Sequence, residues 1–184
     1  MHEAGLKTPG GMVAVMGLSQ ASLAEVCEEA GTQMANINCP EQLVISGAKE
    51  NLARAADLAK ARGAYRTIPL PVSGAFHTPL MQSAVDGLAE IIATLPFRHP
   101  VVPIIANTTA QPVTAVEEVK AELLTQLCNS VQWQRSIEYM INDGVTTFIE
   151  IGPGKVLSGL VKRINRGVEI LNIGDAEAVK NIVG

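Results

Sequence analysis

His77 stands in VSGAFHTPLM (residues 72–81), after a strand-like run and a Gly-Ala-Phe corner and just before a helical pattern. A neutral imidazole can take a proton from a hydroxyl and return it to a leaving thiolate, because its ordinary pKa of about 6.5 lies close to working pH. Such a ring needs an acceptor for its other N–H. At that corner it stands either at the mouth of a cleft or in an ordinary loop. Two other stretches offer comparable chemistry. GLSQA (17–21) sits at a strand-to-helix turn and approximates the G-x-S-x-G elbow, in which a strained turn exposes a serine hydroxyl. It lacks the final glycine, and Ser19 reads better as a helix N-cap, with Ser22 and Glu25 offering a competing capping box. IGPGKVLSG (151–159) carries glycines, Lys155 and a following helix, but not the spacing of a phosphate loop. Free backbone N–H groups at that helix start could bind an anion; the alternative is a tight connection that glycine lets pack closely.

Such groups act only if a core holds them in place. The chain has 184 residues, 47% of them hydrophobic, enough for one good core or two small ones. Charged residues make up 17% and the net charge is -4, so no electrostatic footprint for nucleic acid or an anionic membrane is expected. Aromatics are only 3%, while Ala, Val, Ile, Leu and Gly dominate, which favours an α/β fold with helices packed on a largely parallel sheet. Cys27, Cys39 and Cys128 form no CxxC or Cys/His cluster, so neither a metal site nor a disulfide framework is expected, and a reducing cytoplasm is the expected location. The opening MHEAGLKTPGG lacks the features of a signal peptide, and no apolar run approaches the length of a membrane span.

Periodicity places the elements. GGMVAVMGL reads as a buried strand and SQASLAEVCEEAG as a helix, with Leu23, Val26 and Cys27 at helical spacing. QMANINC and QLVISG are short strands around a turn at Pro40. KENLARAADLAKARG is an amphipathic helix that presents Leu52, Ala55, Ala56 and Ala59 and stops at Gly63, and AYRTIPLPV closes as a strand. The order β-α-β-β-α-β over 11–73 is the split-βαβ, ferredoxin-like arrangement. Beyond Gly74 come a long helix (HTPLMQSAVDGLAEIIATL), a strand and loop (VVPIIANTT), two helices (AVEEVKAELLTQLCN and WQRSIEYMINDG), a strand (VTTFIEIG), a helix (GKVLSGLVKRINRG) and a closing strand (VEILNIGD). Three strands alternating with helices predict a small parallel sheet with exposed edges.

PLPVSGAFHTPLM, NINCPEQLVISG, QLCNSVQWQRSIEYM and FIEIGPGKVLSGLVKRI, in this order and spacing, resemble the malonyl-CoA:acyl carrier protein transacylases, kin to the acyltransferase domains of polyketide synthases. The resemblance spans essentially the whole chain. It implies an α/β-hydrolase-like domain with an inserted ferredoxin-like subdomain, here divided as 1–10 and 74–184 for the larger part and 11–73 for the insert. It implies ping-pong malonyl transfer from malonyl-CoA to the phosphopantetheine thiol of acyl carrier protein, as in fatty acid synthesis, without cofactor or metal. His77 falls on the family's general base and Gln126 on the residue whose main-chain carbonyl orients it. Phe76 falls on the position whose bulk would crowd an α-methyl group. Asn36 and Asn38 fall in the N-x-N-x-P block near the active-site mouth, where a turn-forming role is comparable. Lys155, Lys162 and Arg163 face either the acidic carrier protein or simply the dipole of their own helix.

The family's G-H-S-x-G elbow, its R-G-x-x-M arginine and its glutamine-glycine oxyanion segment precede everything seen here; MHEAG corresponds to the end of the arginine motif. GLSQA cannot replace the elbow, because it falls on the first strand and helix of the insert. The chain is therefore expected to be a C-terminal portion that supplies the histidine but not the serine. By itself it is expected to be inactive and sticky, and to be completed by a missing N-terminal segment or separate chain. The alternative from a different class is a noncatalytic module that binds acyl carrier protein.

Overall fold

The computed structural model describes residues 1–183, which divide into two compact units, Met1–Ser136 and Ile137–Gly184. The first unit opens with α1 (His2–Lys7), followed by β1 (Gly10–Met16), α2 (Gln20–Ala30), β2 (Gln33–Cys39), β3 (Gln42–Ala48), α3 (Lys49–Ala61) and β4 (Arg66–Pro69). These four strands form an antiparallel sheet in the order β2-β3-β1-β4. β1 is central. It pairs with β3 from Gly10↔Ala48 to Met16↔Gln42 and with β4 on its other side.

Side-chain alternation along a strand splits β1 between two faces. Val13 and Val15 join Leu23, Val26, Ile45, Leu52, Ala55 and Ala59 in the core beneath α2 and α3. Leu23, Val26 and Ile45 are fully buried, so truncating one to alanine is expected to cost about 2–5 kcal/mol. Met12 and Ala14 turn the other way, into a smaller cluster with Ala35 and Val44. α2 ends at Gly31, whose left-handed φ of 69° turns the following N–H, that of Thr32, back onto the Cys27 carbonyl at 2.9 Å.

After β4 a single 3-10 turn (Pro79–Met81) runs into α4 (Gln82–Thr94), so the first residues of the long helix expected from the sequence are a separate turn begun by Pro79. The expected third strand of a parallel sheet is not found in VVPIIANTT. Its only paired residues are β5 (Ile104–Ile105), antiparallel to β6 (Pro112–Val113). Pro103 and Pro112 offer no N–H to extend a ladder, and Ala110, with φ 57°, reverses the chain between them. α5 (Val116–Thr125) follows, and α6 (Trp133–Asn142) leads into the second unit.

The second unit pairs β7 (Thr147–Ile151) with β8 (Glu169–Ile173) in parallel, connected by α7 (Val156–Ile164) and followed by α8 (Ala176–Val183). A parallel pair needs such a crossover. Ile149 and Ile151 alternate onto one side of β7 and are 53% and 79% exposed. Among the described residues no helix is long and apolar enough to cross a membrane.

Candidate active site

The chain leaving β4 is held tightly on its way to His77. The Leu70 N–H bonds the Met12 carbonyl at 2.9 Å, and Ala75 is fully buried. Two glycines permit that path. A side chain on Gly5 would overlap the Ser73 carbonyl oxygen, and a Cβ on Gly10 would lie 2.6 Å from that of Ala75. Thr78 is 2% exposed; its hydroxyl donates to the Ala75 carbonyl at 2.7 Å and accepts from the Leu80 N–H at 3.3 Å. Between these fixed points His77 has φ 62°, a left-handed backbone that costs a non-glycine residue roughly 1–2 kcal/mol. A bond from its N–H to the Leu127 carbonyl at 3.1 Å helps to offset that cost.

The ring is oriented by the neighbouring carbonyl. Nδ1 lies 2.7 Å from the Gln126 oxygen. A carbonyl only accepts, so Nδ1 carries the proton and Nε2 presents the basic lone pair. Gln126 caps the C-terminal end of α5, where the last carbonyls have no partner within the helix. Two consecutive free carbonyls, those of 126 and 127, thus receive the ring and the backbone of the same histidine.

The hydroxyls of Thr78 and Ser19 are bonded, and the thiol of Cys128 is held protonated. Thr78 is bonded on both sides, as described. Burial first, and the Asp86 charge second, raise the Cys128 thiol above its ordinary pKa of 9.0, which keeps it protonated near neutrality. Ser19 is the N-cap of α2, accepting from the Ser22 N–H at 3.2 Å, so the capping-box register at Ser22 and Glu25 is not the one used.

The other residues singled out from the sequence are also located. The Phe76 ring is half-buried against the cluster of Met12, Ala14, Ala35 and Val44. Asn36 and Asn38 lie within β2 rather than in a turn; the turn is at Pro40 and Glu41, where φ is 61°. Asn36 is bridged to Val131, whose N–H bonds Ala35 and whose carbonyl accepts from Ile37 at 2.9 Å. The segment that carries Gln126 is thereby stitched to the edge of the sheet.

Residues 151–159 do not leave an open anion cradle. The Glu150 carboxylate accepts from Ser158 Oγ, from the Ser158 N–H at 2.8 Å and from the Leu157 N–H at 3.1 Å, so α7 begins on the chain's own anion. The Ser158 hydroxyl first, then its backbone N–H, hold the Glu150 carboxyl below its ordinary value of 4.5. Lys162 and Arg163 lie in the last turn of α7, where cations complement the helix dipole.

Thr78 and Glu150 escaped the sequence reading. Threonine before Pro-Leu-Met is a helix-start signal that would have identified Thr78. No local pattern pointed to Glu150, which reaches the N–H groups seven and eight residues on.

Residues 2–181 match the family described as acyl transferase domain. Among curated relatives, malonyl CoA-acyl carrier protein transacylase of Bacillus subtilis is 43% identical over 98% of this chain. The protein of the same name from Escherichia coli K12 is 45% identical over 89%. The chain spans 58% and 54% of the lengths of these two relatives. The structure described as MCAT from Streptococcus pneumoniae superposes with a TM-score of 0.92 at 37% identity, over 100% of this chain and 61% of that one. A malonyl-transacylase in complex with a type II polyketide synthase acyl-carrier protein gives 0.92 at 34%, over 97% and 60%. With nearly its whole length matched, the chain belongs to the acyl transferase domain family.

Proposed function

We propose that this chain carries the general-base half of a malonyl transferase that moves malonyl groups from malonyl-CoA to the phosphopantetheine thiol of acyl carrier protein. The observation that carries this reading is the left-handed corner at His77 with Nδ1 held 2.7 Å from the Gln126 carbonyl. An imidazole fixed in that tautomer can accept a hydroxyl proton at Nε2 and pass it to the departing CoA thiolate. It then performs the same exchange in reverse, with the carrier protein's thiol as attacking group. The serine hydroxyl and the arginine that grips the malonate carboxylate come from residues outside these 184. The names of the relatives support the choice of malonyl group and carrier protein.

In this reading residues 11–73 form a ferredoxin-like insert, consistent with the strand order β2-β3-β1-β4, and 1–10 and 74–184 belong to the larger, hydrolase-like part. Phe76 borders the acyl pocket and limits α-substitution, while Asn36 and Asn38 line the mouth.

The test grafts residues 1–184 in place of the matching portion of the Bacillus subtilis relative and measures malonyl transfer. The graft is expected to transfer, and His77→Asn, which tolerates the left-handed backbone, is expected to slow it by about 10²–10⁴-fold. Near-normal transfer by His77→Asn would reject His77 as the base. A folded graft that binds acyl carrier protein but never transfers would favour a binding module.

A further inference from the structure

Successive residues of the loop between β5 and β6 grip one face of α5, a single turn apart. Asn107 donates from Nδ2 to Gln126 Oε1 at 2.8 Å. Thr108 donates to the two carboxylate oxygens of Glu122, from its N–H at 2.9 Å and its hydroxyl at 2.6 Å. Residues four apart share a helix face, so the two grips act on the same edge of the final turn. The loop is itself anchored, since the Asn107 carbonyl accepts from the Gln132 N–H at 2.7 Å. Final turns tend to fray because their carbonyls lack helical partners. Here the last turn is fastened at both ends of its side-chain face, and the carbonyl it presents is the one that meets His77.

We propose that Asn107 is a positioning residue for His77: through the Gln126 side chain it fixes the Gln126 carbonyl, and so keeps the imidazole proton on Nδ1 and the lone pair on Nε2. The use made of that lone pair rests on the reading of His77 as a base, but the tautomer does not. Which nitrogen carries the proton follows from the bond that the other ring nitrogen makes, and outer partners of this kind commonly set it.

The chain labelled with ¹⁵N in its histidine rings gives a direct readout by long-range proton–nitrogen correlation in alkaline solution, where imidazole is neutral. His2 and His99 serve as internal references, and His77→Asn identifies the signal. Wild type is expected to show the Nδ1–H form. Asn107→Leu, which keeps the size and removes the donor, is expected to move the proton toward Nε2 by several-fold. Asn107→Asp is expected to restore the wild-type form, because the Gln126 amide can turn and donate to the introduced carboxylate.

A wild-type ring protonated on Nε2, or a folded Asn107→Leu chain with an unchanged tautomer, overturns the proposal. If Asn107→Leu does not fold, Gln126→Leu removes the same bond while keeping the carbonyl, and an unchanged tautomer there overturns it equally. Should neither fold, the contact is structural and the proposal fails. A wrong assignment of the base shows itself separately, as undiminished transfer in the His77→Asn graft while the tautomer still responds to Asn107.

Discussion

His77 and Gln126 are 49 residues apart in the chain, and Nδ1 of one lies 2.7 Å from the carbonyl oxygen of the other. That bond joins a corner following the antiparallel sheet to the end of a helix from the next part of the same unit. It therefore forms only when both have folded.

The glycine at position 5 is expected to matter to that corner. Gly5→Ala would drive a methyl group into the Ser73 carbonyl and Gly74, which are backbone and cannot swing aside. The chain must shift, and overpacking of this kind typically costs about 1–3 kcal/mol. Thermal unfolding should show the loss, and the His77 ring resonances should move although position 5 is remote in sequence. Unchanged resonances would mean that α1 yields instead of the corner.

Ser19→Ala is expected to lower stability by about 1 kcal/mol, the usual loss of an N-cap, and to leave malonyl transfer by the graft unaltered. Denaturant midpoints and initial rates measure the two effects. A collapse of transfer in a folded variant would restore Ser19 as a candidate nucleophile.

Phe76→Ser should have two effects. The ring packs on the Met12, Ala14, Ala35 and Val44 cluster, so its loss should cost about 1–3 kcal/mol. If the ring also bounds the acyl pocket, the kcat/KM ratio of methylmalonyl-CoA to malonyl-CoA should rise several-fold in the graft. Lost stability with unaltered discrimination would leave Phe76 as packing alone.

Glu150 predicts a pH dependence. Its carboxyl is held below 4.5 in the folded chain, mainly by Ser158, so it contributes stability that is complete above the unfolded value and is lost as pH falls through the folded one. The Ser158 amide resonance should titrate with a midpoint under 4.5, and Glu150→Gln should abolish that step. A midpoint at or above the ordinary value would contradict the bonding described.

Residues 10–70 were readable because strand and helix periods are separate there and most breaks carry a glycine or proline, whereas α1 was not foreseen. Gly31, Pro40 and Gly63 punctuate the elements, and the two helical faces alternate cleanly with the strands. Beyond residue 95 the helices and the closing parallel strands were also legible, but at VVPIIANTT apolar content misled. Val101 and Val102 resemble a strand, yet both are exposed, and Pro103 denies the segment a ladder. The histidine was visible as a residue type at a corner, and family resemblance supplied Gln126 as its support. The glycine contacts and the Asn107 bond were not assigned, because each depends on which distant part of the chain arrives beside it, whereas Thr78 carried a local signal that went unread.

A left-handed histidine also limits what evolution can put in its place. Asparagine or glycine would accept the same torsion angles and keep the neighbouring turn intact, whereas valine or isoleucine would strain it. Descendants that lost their chemistry but kept their shape should therefore carry one of those two residues at this point, and a single codon would tell a silent copy from a working one.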